Sequence, residues 1–165
     1  MARPAAKLGD PVSHPAPPVL APGPGSVNVL INGKPAWRGM PAAGVAALQA
    51  AKQAADTVIT AAETATKAAA GTPGAPAVYA AEQAAKAGIL AQMSSLIQGA
   101  SGGADIHVCA VPTPVPPHGP GVVIDGCTTV TINGLPACRQ GDTILEAIGP
   151  PNKIAAGCPT VSIGG

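Results

Sequence analysis

The side chains best suited to chemistry in this chain are few and sit in similar surroundings. All three histidines fall in proline- or glycine-punctuated corners: His14 in Asp10-Pro11-Val12-Ser13-His14-Pro15, His107 in Asp105-Ile106-His107-Val108-Cys109, and His118 in Pro116-Pro117-His118-Gly119-Pro120. If repeated units fold about a common axis, these corners gather at one end. His14, His107, Cys109 and His118 then supply three imidazoles and one thiolate, a four-donor set of the kind that tetrahedral structural zinc sites use. A closed four-ligand site leaves no position for a reactive water, so the expectation is a staple and not a catalyst. The competing expectation is that His14 and His118 are solvent-exposed loop residues, with Cys138 and Cys158 as substitute ligands if one of the four is wrong.

Other chemistry lacks its scaffolding. The sequence contains no G-x-S-x-G, no phosphate-cradling glycine loop and no H-E-x-x-H. Asp10, Asp105 and Asp142 each precede a corner at a matching place, which side-chain-to-backbone turn bonds explain better than acid/base pairing. Cys127 and Cys158 occupy the same position of two repeats, and Cys138 stands where another repeat has Trp37. That regularity is the pattern of small buried thiols.

The elements that must position these groups are repeats. Gly126-Cys127-Thr128-Thr129-Val130-Thr131-Ile132-Asn133-Gly134-Leu135-Pro136-Ala137-Cys138-Arg139 restates Gly25-Ser26-Val27-Asn28-Val29-Leu30-Ile31-Asn32-Gly33-Lys34-Pro35-Ala36-Trp37-Arg38 in the frame G-x-x-x-V-x-I-N-G-x-P-A-x-R. A truncated copy closes the chain at residues 157–164, and Pro4-Ala5-Ala6-Lys7-Leu8-Gly9-Asp10 matches Pro136-Ala137-Cys138-Arg139-Gln140-Gly141-Asp142. Repetition of this kind fixes the architecture before any single residue does. Short β-branched runs at 27–32, 122–124, 130–133 and 161–163, bounded by Gly, Pro and Asn, predict strands joined by tight corners.

Between the first two repeats the language changes. Residues 44–99 are rich in Ala, Lys, Gln and Glu, and alanine is the strongest helix former. The spacing predicts helices over 44–70 and 76–98, broken at Gly71-Thr72-Pro73-Gly74, with Pro76 suited to a helix start. Their small-residue stripes predict an antiparallel hairpin that leans on the repeat core or on a partner chain. The charges Lys52, Asp56, Glu63, Lys67, Glu82 and Lys86 are expected on its solvated outer faces.

Composition narrows the classes further. With 165 residues and a net charge of +1, no basic surplus exists to hold nucleic acid or an anionic membrane. Phenylalanine is absent and Trp37 and Tyr79 are the only aromatics, so the core must come from Val, Ile, Leu and Ala. No signal peptide or transmembrane run is visible, so synthesis and folding in the bacterial cytoplasm are expected. The chain ends directly on the last repeat, so no fused toxin is expected.

The segments Pro4-Ala5-Ala6-Lys7-x-Gly9-Asp10, Ile31-Asn32-Gly33-x-Pro35-Ala36-Trp37-Arg38 and Ile132-Asn133-Gly134-x-Pro136-Ala137-Cys138-Arg139-x-Gly141-Asp142 resemble the PAAR (Pro-Ala-Ala-Arg) repeat family. The resemblance implies an α+β chain: a cone-like all-β repeat domain of short strands about a pseudo-threefold axis, residues 1–40 and 101–165, with an inserted helical hairpin at 41–100. It implies a structural, non-enzymatic tip that caps and sharpens the trimeric VgrG-like spike of a type VI secretion or related contractile injection system. Such a tip is loaded on the apparatus, aids membrane piercing and effector delivery, and leaves the cell with it. It implies structural Zn²⁺ near the apex, on His14, His107, Cys109 and His118. Effector or cargo proteins are further partners; nucleic acid and stable membrane insertion are not. Two departures stand out. Thr143-Ile144-Leu145-Glu146-Ala147 lies where many members offer a His or Cys, and the hairpin replaces the Gly-Asp expected after Trp37-Arg38. The rival expectations are a zinc-dependent hydrolase or toxic effector, and an adaptor that recruits cargo through the hairpin.

Overall fold

The computed structural model describes residues 1–13, 20, 23–112 and 117–164. Among the described residues, ten short strands and two long helices follow in the order β1 (Arg3–Ala5), β2 (Leu30–Ile31), β3 (Lys34–Pro35), α1 (Ala42–Ala69), α2 (Ala75–Ala100), β4 (Ile106–Pro112), β5 (Pro117–Val123), β6 (Cys127–Ile132), β7 (Leu135–Ala137), β8 (Thr143–Glu146), β9 (Asn152–Lys153) and β10 (Cys158–Ile163). The combination of helices and small antiparallel sheets is α+β. The strand expected at 27–32 is confined to Leu30–Ile31. The Asn-Gly turn after it closes as the residue types require, with Asn32 and Gly33 both at positive φ (49° and 75°), repeated by Asn133 and Gly134 (52° and 78°).

Three equivalent antiparallel pairs form: β2 with β3, β6 with β7, and β10 with the chain's own first strand β1. Their inward side chains make one cluster of Ala5, Ile31, Ala36, Cys127, Ile132, Ala137, Cys158 and Ile163. The motif residues behind them are tied backbone to backbone. Ala6 N–H donates to the Cys138 carbonyl (2.9 Å), Cys138 N–H to that of Trp37 (3.0 Å), and Trp37 N–H to that of Ala6 (3.0 Å), closing a ring of three bonds. Each bond joins residues far apart in sequence, so the ring forms only when all three copies are in place. Beyond it lies a second cluster built from Trp37, Leu20, Val123, Ile144 and Ile154. Cys127, Cys138 and Cys158 are buried free thiols within these layers.

The three aspartates close three like turns. Asp10 accepts from Lys7 N–H (2.8 Å) and Asp142 from Arg139 N–H (2.8 Å), each from three residues earlier. Asp105 accepts in the same way from Arg38 N–H (2.8 Å), although 67 residues separate the two. Its own N–H returns to the Arg38 carbonyl at 3.1 Å, the distance found for Asp10 to Lys7 and Asp142 to Arg139. The Gly-Asp that the sequence lacks after Trp37-Arg38 is therefore supplied by Asp105, and residues 39–104 leave and re-enter at a single closed turn. This is why a helical insertion of such length leaves the repeat register undisturbed.

Helices α1 and α2 pair with each other, and α2 also meets β5. Leu48, Ile59, Ile89, Met93 and Ile97 of the hairpin share one core cluster with Val122, Leu145, Ala147 and Ile148 of the β region. The hairpin does lean on the repeat core. The solvated placement of its charges holds for Asp56 and Lys67 but not for Lys52, Glu82 and Lys86, which are buried. Lys86 Nζ lies 2.7 Å from Glu63 and 2.6 Å from Glu82, bridging the two helices, and Lys52 pairs with Asp56 one turn on. Pairing is what makes these charges tolerable inside. Periodicity could not reveal it, because Ala fills the outer faces and lets the long charged side chains turn inward.

Candidate metal centre

Strands β4, β5 and β8 bring the titratable residues to one place. In β4, His107 and Cys109 are two residues apart, so both point to the same face. Strand β5 runs antiparallel between β4 and β8, with His107 opposite Gly121 and Gly121 opposite Glu146. A Cβ on Gly121 would lie 2.9 Å from Glu146 Cγ and 2.8 Å from Ile144 Cγ2. Only glycine in this middle strand lets the carboxylate of one outer strand reach across to the imidazole of the other.

Glu146 lies at the centre of the group. Its Oε1 is 3.7 Å from His107 Nε2 and its Oε2 is 2.6 Å from His118 Nδ1. Cys109 Sγ is 4.0 Å from the same His118 nitrogen. One ligand atom each from His107, Cys109 and Glu146 falls within 4.8 Å of the others. His107 and Cys109 are 1% exposed, His118 2% and Glu146 not at all. Burial pushes the Glu146 carboxyl up to about 7, because the charged form loses its water. His118 is held by close packing: Gly149, at φ 84°, lies under its ring, and a Cβ there would stand 2.8 Å from Nε2. Gly119, next in β5, packs directly against Leu90 of α2.

Of the four residues expected to bind metal, His107, Cys109 and His118 are brought together, and His14 lies outside the described residues. Glu146 was missed. Its signal lay in the aspartate frame: His14 is four residues after Asp10, Cys109 four after Asp105, and Glu146 four after Asp142. Two imidazoles, a thiol and a carboxyl, close together and buried, suit a divalent transition metal with mixed nitrogen, sulfur and oxygen donors. The donor set fits a metal ion and leaves its identity open.

The hairpin walls this cluster on one side. Glu146 lines a cleft of about 590 Å³ with Gln49, Lys52 and Asp56 of α1, and His118 a second of about 330 Å³ with Glu63 and Lys86.

Residues 104–165, which hold β4 to β10 and every described member of the cluster, match the family model of the PAAR motif. This part of the chain is thus similar to the PAAR motif, which suggests a spike-tip structural role in secretion systems. The match, with the repeats on either side of the hairpin, is consistent with a PAAR-repeat protein. No curated protein and no solved structure matches the chain. Among the described residues no helix is long and apolar enough to cross a membrane.

Proposed function

We propose that this chain is the structural tip of a contractile injection apparatus of the type VI secretion kind, capping and sharpening a trimeric VgrG-like spike. The observation that carries this is the ring of three backbone bonds among Ala6, Trp37 and Cys138. Three equivalent motif segments joined head to tail support a cone about a pseudo-threefold axis, the symmetry needed to seat one chain on three identical spike subunits. At the strand-pair end, Val29, Val130 and Val161 occupy the same position of three copies and are each partly exposed (36%, 36% and 37%), with Leu30 beside them. Three matched apolar contacts around one axis fit a three-fold partner, and they would otherwise be an aggregation risk. Residues 1–40 and 101–165 form the cone and 41–100 the appended hairpin.

The opposite end is stapled by structural Zn²⁺ on His14, His107, Cys109 and His118. The metal crosslinks neighbouring strands at this end, and it lets a small apex bear compression during membrane piercing. The protein folds in the cytoplasm, is loaded on the spike and travels out with it and its effectors. Pull-down of the purified chain with candidate spike trimers, alongside the zinc content of wild type and His118→Ala, tests both halves. Capture by a trimer and one zinc per wild-type chain are expected. Capture by none would remove the capping role, and a metal-free wild type would remove the staple.

A further inference from the structure

We infer that Glu146 is itself a metal ligand, so that the centre in this chain takes a carboxylate oxygen four residues after Asp142, where the segment after Asp105 offers Cys109 at the same spacing. The inference rests on the zinc reading above and names a donor outside that set.

Three observations support it. First, Glu146 sits in the cluster and not beside it, with one oxygen toward His107 and the other toward His118. A carboxylate that only oriented an imidazole would lie behind that ring, on the side away from the thiol. Here its ligand atom and those of His107 and Cys109 lie within 4.8 Å of one another, a spacing that one ion at ordinary bond lengths of about 2.0–2.3 Å can span with small side-chain adjustment. Second, the backbone clears the way for it: Gly121, the residue paired with Glu146 in the adjacent strand, has no side chain to block its path to His107. Third, Glu146 is fully buried among the other donors, and a metal ion bound there would set a positive charge beside a carboxyl held out of water.

With Glu146 bound, the β8 loop is tied to β4 and β5 by the metal itself. Strands β4 and β5 supply His107, Cys109 and His118 and β8 supplies Glu146, so the ion crosslinks segments that follow different aspartate turns.

The test uses the full chain, stripped of metal and titrated with Zn²⁺ against a competing chelator. Glu146→Gln, of nearly the same shape, is expected to bind zinc at least about 10-fold more weakly than wild type, while Lys67→Gln on the exposed face of α1 leaves affinity unchanged. Equal affinity of wild type and Glu146→Gln would overturn the assignment. A crystal structure of zinc-loaded wild type, located by anomalous scattering, separates a ligand from an orienting neighbour and does not depend on the variant folding. An ion about 2.0–2.2 Å from a Glu146 oxygen is expected. An ion held by His and Cys donors with both oxygens out of bonding range overturns the inference while leaving the zinc staple intact. A wild type that takes up no zinc in this assay would instead remove the staple and this assignment with it.

Discussion

The turn that readmits the helical insertion is the joint most exposed to test, and Asp105→Ala is the perturbation. Asp105 is fully buried and receives three bonds from Arg38: from the backbone N–H at 2.8 Å, from Nε at 3.0 Å and from an Nη at 2.7 Å. The Arg38 side chain is 11% exposed and donates onward to the Gly25 carbonyl. Removing the carboxylate leaves a mostly buried guanidinium and an orphaned backbone donor, with no route to water that keeps the turn closed. Breaking a buried pair in this way costs about 3–5 kcal/mol, against about 1 kcal/mol or less for a surface pair. For a chain of this length that is a drop on the order of 10 °C in Tm. Trp37, the only tryptophan, lies in the β core, so its fluorescence follows that core while circular dichroism follows the hairpin. Metal content is held equal between variants. Both signals are expected to move together to lower temperature, with Asp105→Asn falling between. A loss under about 1 kcal/mol, at the level of a surface pair, would refute the idea that this aspartate closes the repeat across the insertion.

Gly149→Ala places a side chain at φ 84° with its Cβ against the His118 ring; a cost of about 1–2 kcal/mol in unfolding free energy from the backbone alone, together with weaker zinc retention against a chelator, is expected. The Glu82 carboxyl is held below its ordinary range chiefly by its hydrogen bond from Lys86. Its stabilising effect is therefore present above pH 4.5, its ordinary value, and is lost as pH falls through the lower folded value. Lys86→Met should flatten that acid-side loss in helix content followed by circular dichroism, and an unchanged acid limb would contradict it. Gly119→Ala drives a methyl into Leu90 of α2, so hydrogen exchange in α2 should quicken before it does in β6 and β7.

Much of the fold was legible because it is repeated. The strand pairs, the Asn-Gly turns and the structural use of Asp10, Asp105 and Asp142 all follow from short motifs whose geometry is local, or made local by recurrence. The hairpin was legible to within two residues at each end, since alanine content and the Gly-Thr-Pro-Gly break leave little else possible. The inward turn of Lys52, Glu82 and Lys86 was not. Charge predicts solvent unless a partner is known, and Glu63 and Glu82 become partners of Lys86 only once the two helices are paired. The gathering of His107, Cys109 and His118 followed from the repeats, whereas Glu146 was hidden by its type. A glutamate amid Ile144, Leu145 and Ala147 reads as an interruption of a strand until Asp142 is aligned with Asp10 and Asp105. The strand shortening at Leu30–Ile31 is of a different kind: the β-branched run from Val27 stays paired beyond the regular ladder, through Ala36 N–H to the Val29 carbonyl (3.0 Å) and Ser26 N–H to the Ala36 carbonyl (2.8 Å), but only two residues keep regular register.

The account depends most on one chain meeting three spike subunits through the end that carries Val29, Val130 and Val161. Native mass measurement of the purified complex with a cognate spike trimer tests this most directly. A stoichiometry of one chain to three spike subunits, abolished by Val130→Asp combined with Val161→Asp while Trp37 fluorescence stays native, is the predicted result. Three chains per trimer, or a complex indifferent to those substitutions, would contradict it.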